Sequence, residues 1–162
     1  MPDRRKLLGT GLSLGALAAF LRPSRGAAET AAPAFEISKT EAEWRQLLTP
    51  IQFYVLRKHG TERAGSCALN WEKRPGTFVC AGCDQPLFES KKKFESDTGW
   101  PSFNDPVPGS VETTVDSSWG MTRTEVHCAR CGSHLGHIFP DGPPPTGLRY
   151  CINGVATNFI PA

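Results

Sequence analysis

Two Cys-x-x-Cys motifs, Cys80-Ala81-Gly82-Cys83 and Cys128-Ala129-Arg130-Cys131, constrain this chain more than any other feature, with 44 residues between Cys83 and Cys128. Each stands at the end of a predicted strand with glycine inside or beside it, so the backbone can turn and aim both sulfurs at one centre. Four thiolates complete a tetrahedral zinc shell and leave no position for water, which makes such a metal structural. Two other readings compete. Disulfides suit an oxidising compartment, and a Cys-x-x-Cys pair can be a thioredoxin-like redox motif. The separation exceeds the usual finger spacing, but no βαβ pattern follows either motif, which counts against the redox version. One zinc held by Cys80, Cys83, Cys128 and Cys131 is the expectation carried forward.

The 162 residues include 16 Gly and 14 Pro, which suits one loop-rich domain. The first residues stand apart from it. Arg4-Arg5-Lys6 precedes an uncharged run from Leu7 to Leu21, then Arg22-Pro23 and small residues around Gly26-Ala27-Ala28. This is the layout of an export signal, and the adjacent arginines favour the twin-arginine route for folded cargo. A membrane anchor is the alternative, but the apolar run is short for a bilayer span. The expected division is an export signal over 1–28, cleaved after Ala28 or else after Ala32, a linker over 29–37 and a domain over 38–162. Without residues 1–28 the chain keeps 13 basic and 15 acidic side chains. That near-neutral balance lacks the electrostatic footprint of a nucleic-acid binder. With no later stretch of spanning length, the expectation is a soluble periplasmic protein without membrane or nucleic-acid partners.

Thr40 with Glu43 predicts a capping box ahead of Trp44, Leu47 and Leu48. Thr49-Pro50 predicts a second helix through Ile51, Tyr54 and Val55, stopping at Gly60. Both apolar faces need a sheet to cover. Beyond Gly60 short β-like runs follow: Thr77 to Cys80, Pro86 to Phe88, Val111 to Val115, Thr122 to Cys128, His134 to Phe139, Leu148 to Ile152 and Val155 to Ile160. The run Thr122 to Cys128 is the poorest in apolar residues. No long helix interrupts the series, which points to a mainly β fold of antiparallel sheets with short N-terminal helices.

Near the C-terminus, Arg149-Tyr150-Cys151-Ile152-Asn153 places a cysteine between apolar β-formers and close to a guanidinium. A nearby cation lowers a thiol pKa, and only the thiolate attacks, so Cys151 is a candidate nucleophile. His134-Leu135-Gly136-His137 offers two imidazoles. The loop Asp141-Gly142-Pro143-Pro144-Pro145-Thr146-Gly147 could fold the flanking strands face to face and bring them to Cys151. From this stretch alone, a buried core cysteine with two surface histidines explains the pattern equally well.

Between the knuckles lies Gly99-Trp100-Pro101-Ser102-Phe103. This turn, the two Cys-x-x-Cys motifs, His-Leu-Gly-His, Phe-Pro-Asp-Gly and Arg-Tyr-Cys-Ile-Asn together closely resemble the B-type methionine sulfoxide reductases, which act on the R epimer. The resemblance runs from about Thr40 to Ile160. It implies a tent of two antiparallel sheets with the N-terminal helices packed on it and a structural zinc away from the active site. It further implies that Cys151 attacks the sulfoxide sulfur and becomes a sulfenic acid. By the same resemblance His137 is the proton donor, His134 and Asn153 hold the oxygen or its water, and Arg149 favours the thiolate. Trp100, with Phe103 beside it, walls the pocket for the substrate methyl group.

The chain departs from the family's common pattern at Thr98, where many relatives place a resolving cysteine. Setting aside the four zinc ligands and Cys151 leaves Cys67, in the loop Gly65-Ser66-Cys67-Ala68-Leu69, a region from which some relatives draw an alternative resolving thiol. The resemblance thus implies a Cys67–Cys151 disulfide reduced by a thioredoxin-like partner, oxidised methionine in proteins or free as substrate, and a monomer. A zinc-stabilised exported binding module without catalysis and a secreted disulfide-stabilised scaffold are the other readings. Neither needs Arg149, His134 and His137 around one thiol.

Overall fold

Thr40 and Thr49 start two helices by the same local device. The Thr40 hydroxyl accepts from the Glu43 amide while Glu43 reaches back to the Thr40 amide, and Thr49 and Gln52 repeat the exchange. Each box satisfies two amides that a helix start leaves orphaned. Helix α1 spans Glu41–Leu47 and α2 spans Pro50–Lys58. The left-handed residue that ends α2 is His59, at φ 53°. Gly60 matters for a different reason: a Cβ there would stand 2.3 Å from the Tyr54 ring. The buried residues are Trp44, Leu48, Phe53, Val55 and Leu56, whereas Leu47, Ile51 and Tyr54 face outward. Of the three residues that marked α2 in the sequence only Val55 turns inward, joined by Phe53 and Leu56, while Ile51 and Tyr54 face out.

The computed structural model describes residues 35–162. The expected signal over 1–28 and most of the linker lie outside these residues. The end of the linker is bound to the domain, with the Ile37 amide donating to the Arg130 carbonyl at 3.0 Å and Glu36 paired with Arg130. Among the described residues, no helix is long and apolar enough to cross a membrane.

Nine strands follow the helices: β1 Gly76–Cys80, β2 Pro86–Glu89, β3 Lys93–Phe94, β4 Ser102–Phe103, β5 Val111–Asp116, β6 Arg123–Cys128, β7 His134–Phe139, β8 Arg149–Ile152 and β9 Thr157–Pro161. They form two sheets, ordered β2-β1-β9 and β3-β4-β8-β7-β6-β5, antiparallel at every pairing. The expected mainly β class and two-sheet arrangement hold. The last expected run is shortened, because Gly154–Ala156 forms a 3-10 turn before β9. Aromatic rings join the sheets: Phe103 of β4 stacks on Phe88 of β2 at 4.4 Å and meets Phe78 of β1 edge-on at 4.9 Å. Around them Leu87, Val126, Leu135, Ile152 and the buried faces of both helices complete one core.

The two knuckles are built alike. The Cys80 amide donates to Gln85 and the Cys128 amide to Ser133, closing equivalent turns, and Asp84 and Gly132 hold the matching left-handed positions. Cys80 ends β1 and Cys128 ends β6, so the four sulfurs meet where the two sheets meet.

Candidate active site

Strand register builds the site. Cys151 on β8 lies directly opposite Ser102 on β4 and His137 on β7; His137 lies opposite Glu125 on β6, and Glu125 opposite Thr114 on β5. Directly opposed residues point to the same face, with Cβ atoms about 5 Å apart. One transverse row therefore carries a hydroxyl, a thiol, an imidazole and a carboxylate. The loop over 140–148 lays β7 and β8 side by side in one sheet rather than face to face, and that pairing is what sets His137 against Cys151.

His134 stands three residues from His137, an odd interval that in a regular strand would send the two rings to opposite faces. The register slips here: Val126 pairs with Gly136, but His127 pairs with His134. This bulge at Leu135 turns His134 back toward the site, and its ring lies 5.4 Å from that of His137.

Each histidine is held by a carboxylate that the sequence reading did not identify. His134 Nδ1 and Glu125 Oε1 are 2.7 Å apart, and the same oxygen meets His59 Nδ1 at 2.9 Å. His137 Nε2 meets Asp116 Oδ2 at 2.8 Å, and Asp116 also takes Arg123 at 2.6 Å. Burial works against ionisation of Glu125, but its bonds to His134 and His59 outweigh it and hold the carboxyl below the usual range. Hydrogen bonds from Ser118 and His137 do the same for Asp116. Burial lowers the His137 pKa despite Asp116, while Glu125 raises that of His59. His134 is 2% exposed, and its Nε2 has no hydrogen-bond partner among the described residues. A buried polar atom left open in this way marks a place where a ligand oxygen or water would fit.

Cys151 borders a cavity of about 150 Å³ together with Thr61, Trp100, Arg123, Phe139 and Asn153. Arg149 forms a two-pronged pair with Asp141, 2.8 Å at each contact, and lies over the Phe139 ring. The expectation of a depressed thiol pKa is not met. Burial pushes Cys151 above the ordinary value, and Arg149 and a hydrogen bond with Thr98 recover only part of the shift. Thr98 is tied in turn to Ser96, and Ser96 to Ser102. Asn153 is fixed by a bond from its Nδ2 to the Leu135 carbonyl and one to its Oδ1 from the Glu62 amide.

Of the expected site residues, Cys151, Trp100 and Asn153 line the cavity; His137 stands opposite Cys151 in the strand row, with His134 and Arg149 near it but outside the lining, and two more stand elsewhere. Phe103 is fully buried beneath the sheet in the aromatic core and does not border the cavity, because alternation sends Ser102 to the site face and its neighbour inward. Cys67 is half-buried with a free thiol, its pKa raised by burial, and it rests against Gly154 outside the cavity lining. Arg123 and Glu125 had one sequence signal, the polar residues that made Thr122 to Cys128 so poor in apolar ones; Asp116, at the end of β5, had none.

The four knuckle sulfurs lie within 4.8 Å of one another. Cys80 and Cys131 are 3.7 Å apart, and Cys83 and Cys128 are 3.6 Å apart. The edge of a tetrahedron with metal–sulfur bonds of 2.3 Å is about 3.8 Å, so the cluster fits a metal ion and the cysteines are not bonded to each other. His59, Glu125 and His134 also lie close together. Their separations of 2.7 and 2.9 Å are hydrogen-bond lengths, shorter than the roughly 3.3 Å expected between ligands of a tetrahedral ion with bonds near 2.0 Å. Cys128 and Arg123 occupy opposite ends of β6, about 16 Å apart, so the metal cluster is remote from the cavity.

Residues 48–161 match the SelR domain family. The chain is 54% identical over 127 residues to a protein of Agrobacterium fabrum named peptide methionine sulfoxide reductase MsrB, covering 78% of this chain and 94% of that protein. Proteins of the same name from Pseudomonas putida and Methanosarcina barkeri are 57% and 55% identical, covering 78% and 76% of this chain and 96% and 87% of theirs. With the matched segment spanning most of the chain and both the knuckles and the Cys151 cavity inside it, this protein belongs to the SelR domain family.

Proposed function

We propose that the protein is a peptide-methionine (R)-S-oxide reductase, returning methionine sulfoxide to methionine at the expense of a thiol reductant. The observation that carries this reading is the row Ser102, Cys151, His137, Glu125 beside a small cavity walled by Trp100. The Cys151 sulfur attacks the sulfoxide sulfur as the S–O bond breaks. The thiol proton passes to the departing oxygen with His137 as carrier, so the oxygen leaves as hydroxide; this hydroxide attacks the Cys151 sulfur and breaks the new S–S bond, and the products are methionine and a Cys151 sulfenic acid. Atoms balance without an outside proton, which suits a resting site where burial keeps both Cys151 and His137 neutral. Asn153 and the open Nε2 of His134 bind the oxygen, Arg149 supports the anion as the proton leaves, and the Trp100 ring accepts the apolar methyl.

The Cys67 thiol then displaces hydroxide from the sulfenic acid, giving a Cys67–Cys151 disulfide and water, and a thioredoxin-like dithiol reduces that disulfide. The knuckle metal is zinc, held by Cys80, Cys83, Cys128 and Cys131, and it takes no part in these steps. Substrate is oxidised methionine, free or in proteins, and the enzyme acts as a monomer. Residues 1–28 export the folded enzyme to the periplasm by the twin-arginine route, a proposal resting on Arg4-Arg5-Lys6 and the uncharged run after it. The test is an assay on separated R and S epimers with protein whose N-terminus has been read by mass spectrometry. Turnover of R alone, lost in Cys151→Ser, is expected. Turnover by Cys151→Ser, or preference for S, refutes the catalytic reading, and a periplasmic product beginning at Met1 refutes cleavage.

A further inference from the structure

Glu62 is 4% exposed and, among the described residues, has no cationic partner. Its carboxylate accepts instead from the amides of Gly154 and Val155, just beyond the Cys151 strand, and from the Ser66 hydroxyl at 3.0 Å. Its own amide donates to Asn153 Oδ1 at 2.9 Å, and its carbonyl accepts from Trp100 Nε1 at 3.2 Å. Nothing in the reaction uses this buried carboxylate, yet it anchors a residue whose backbone joins Asn153 and Trp100, two residues that line the cavity, to the loop that supplies a third, Thr61. A further bond, from the Gly65 amide to the Gly99 carbonyl at 2.7 Å, fastens the same loop to the Trp100 turn.

The loop continues into Cys67. The Cys67 sulfur fills the space above Gly154, where a Cβ would stand 2.6 Å from it, and it is absent from the cavity lining. Disulfide formation needs Cα atoms within about 7 Å and Cβ atoms within about 4.5 Å, pointing together. Cys67 and Cys151 both carry free thiols, so joining them takes the Cys67 sulfur from this seat against Gly154, where Glu62 bonds the amides of Gly154 and Val155 and the hydroxyl of Ser66.

We propose that Glu62 is a latch with opposite effects on the two halves of the cycle. Closed, it holds Trp100, Asn153 and Thr61 in place for sulfoxide reduction. Open, it releases the Cys67 loop to reach the Cys151 sulfenic acid. Because its partners are neutral donors and not a cation, losing them leaves no second buried charge behind, so the loop can open without the large penalty of a broken ion pair. Glu62 touches neither the substrate nor the reacting sulfur and is a positioning residue. The inference rests on the Cys67 assignment above and goes beyond it, since it predicts the sign of each effect.

The test is single-turnover kinetics on Glu62→Gln, which keeps the shape, and on Ser66→Ala, a milder change at the rim of the same carboxylate. Methionine formation is followed by quench, and Cys67–Cys151 disulfide formation by mass spectrometry after thiol blocking. A weakened latch raises the open population. Glu62→Gln should need about tenfold more sulfoxide for half-maximal methionine formation, while the disulfide forms several-fold faster than in the wild type; Ser66→Ala should shift both the same way by less. A general packing defect slows both steps, so both falling together, or neither changing, overturns the latch. Failure of the Cys67 assignment shows separately, as wild-type enzyme that makes methionine but no Cys67–Cys151 disulfide, and it removes the latch with it.

Discussion

Burial and charge pull Cys151 in opposite directions, and burial wins. The reason lies with Arg149, whose guanidinium is already engaged at both ends by Asp141 and so presents the thiol with a cation half-neutralised by its own partner. At neutral pH the resting site therefore holds a thiol beside a neutral imidazole and not an ion pair. Only the thiolate is alkylated, so the rate constant for iodoacetamide at Cys151 should climb about tenfold per pH unit above pH 7. It should level off only above the ordinary cysteine value of about 8.5. Arg149→Met removes the charge that opposes burial and should move the plateau higher still. Measured in a Cys67→Ser background to isolate one thiol, a plateau below pH 8 would show that the guanidinium dominates after all.

At the scale of elements, β7 carries the most constraint. Its bulge at Leu135 puts His134 and His137 on one face, and the next residue, Gly136, lets β8 come close: a Cβ there would lie 2.0 Å from the Cys151 carbonyl oxygen. Gly136→Ala must push apart the two strands whose pairing sets His137 against Cys151. The expected result is a stability loss at or above the upper end of overpacking costs, about 3 kcal/mol, with activity lost well below the melting temperature. An unchanged denaturant midpoint would contradict it. The helix starts were legible in the sequence because capping is local: Thr40 with Glu43 three residues on, and Thr49 directly before Pro50. The longer strands were legible from their alternation and turn residues. The two-residue strands β3 and β4 were not, since so short a run shows no period. Nor was the direction of Phe103, which depends on which neighbour faces the sheet's other side. Glu125 and Asp116 escaped for a related reason: what makes them partners of histidines is strand register, a relation between distant segments that no local spacing records.

For the whole molecule, the metal cluster and the active site divide one strand between them. β6 ends at Cys128 in the knuckles and begins at Arg123 beside the cavity. The cluster staples β1 of one sheet to β6 of the other where the sheets meet, and the aromatic stack of Phe78, Phe88 and Phe103 joins them elsewhere. A domain this small gains much of its stability from such a site, because no preformed site exists in the unfolded chain and metal binding is then part of the folding free energy. Cys83 is the most informative place to test this. It is partly exposed, whereas Cys80, Cys128 and Cys131 are buried, so Cys83→Ser removes a ligand while disturbing packing least. Metal analysis should find one zinc per chain in the wild type. Both Cys83→Ser and wild type stripped by a strong chelator should lose zinc together with at least 10 °C in Tm, roughly the effect of a loss of several kcal/mol in a domain of this size. Methyl groups packed on the Phe78–Phe103 stack should lose their dispersed NMR shifts in the same step. A metal-free protein with unchanged Tm would mean that the core holds the two sheets together unaided and that the four sulfurs only share a neighbourhood.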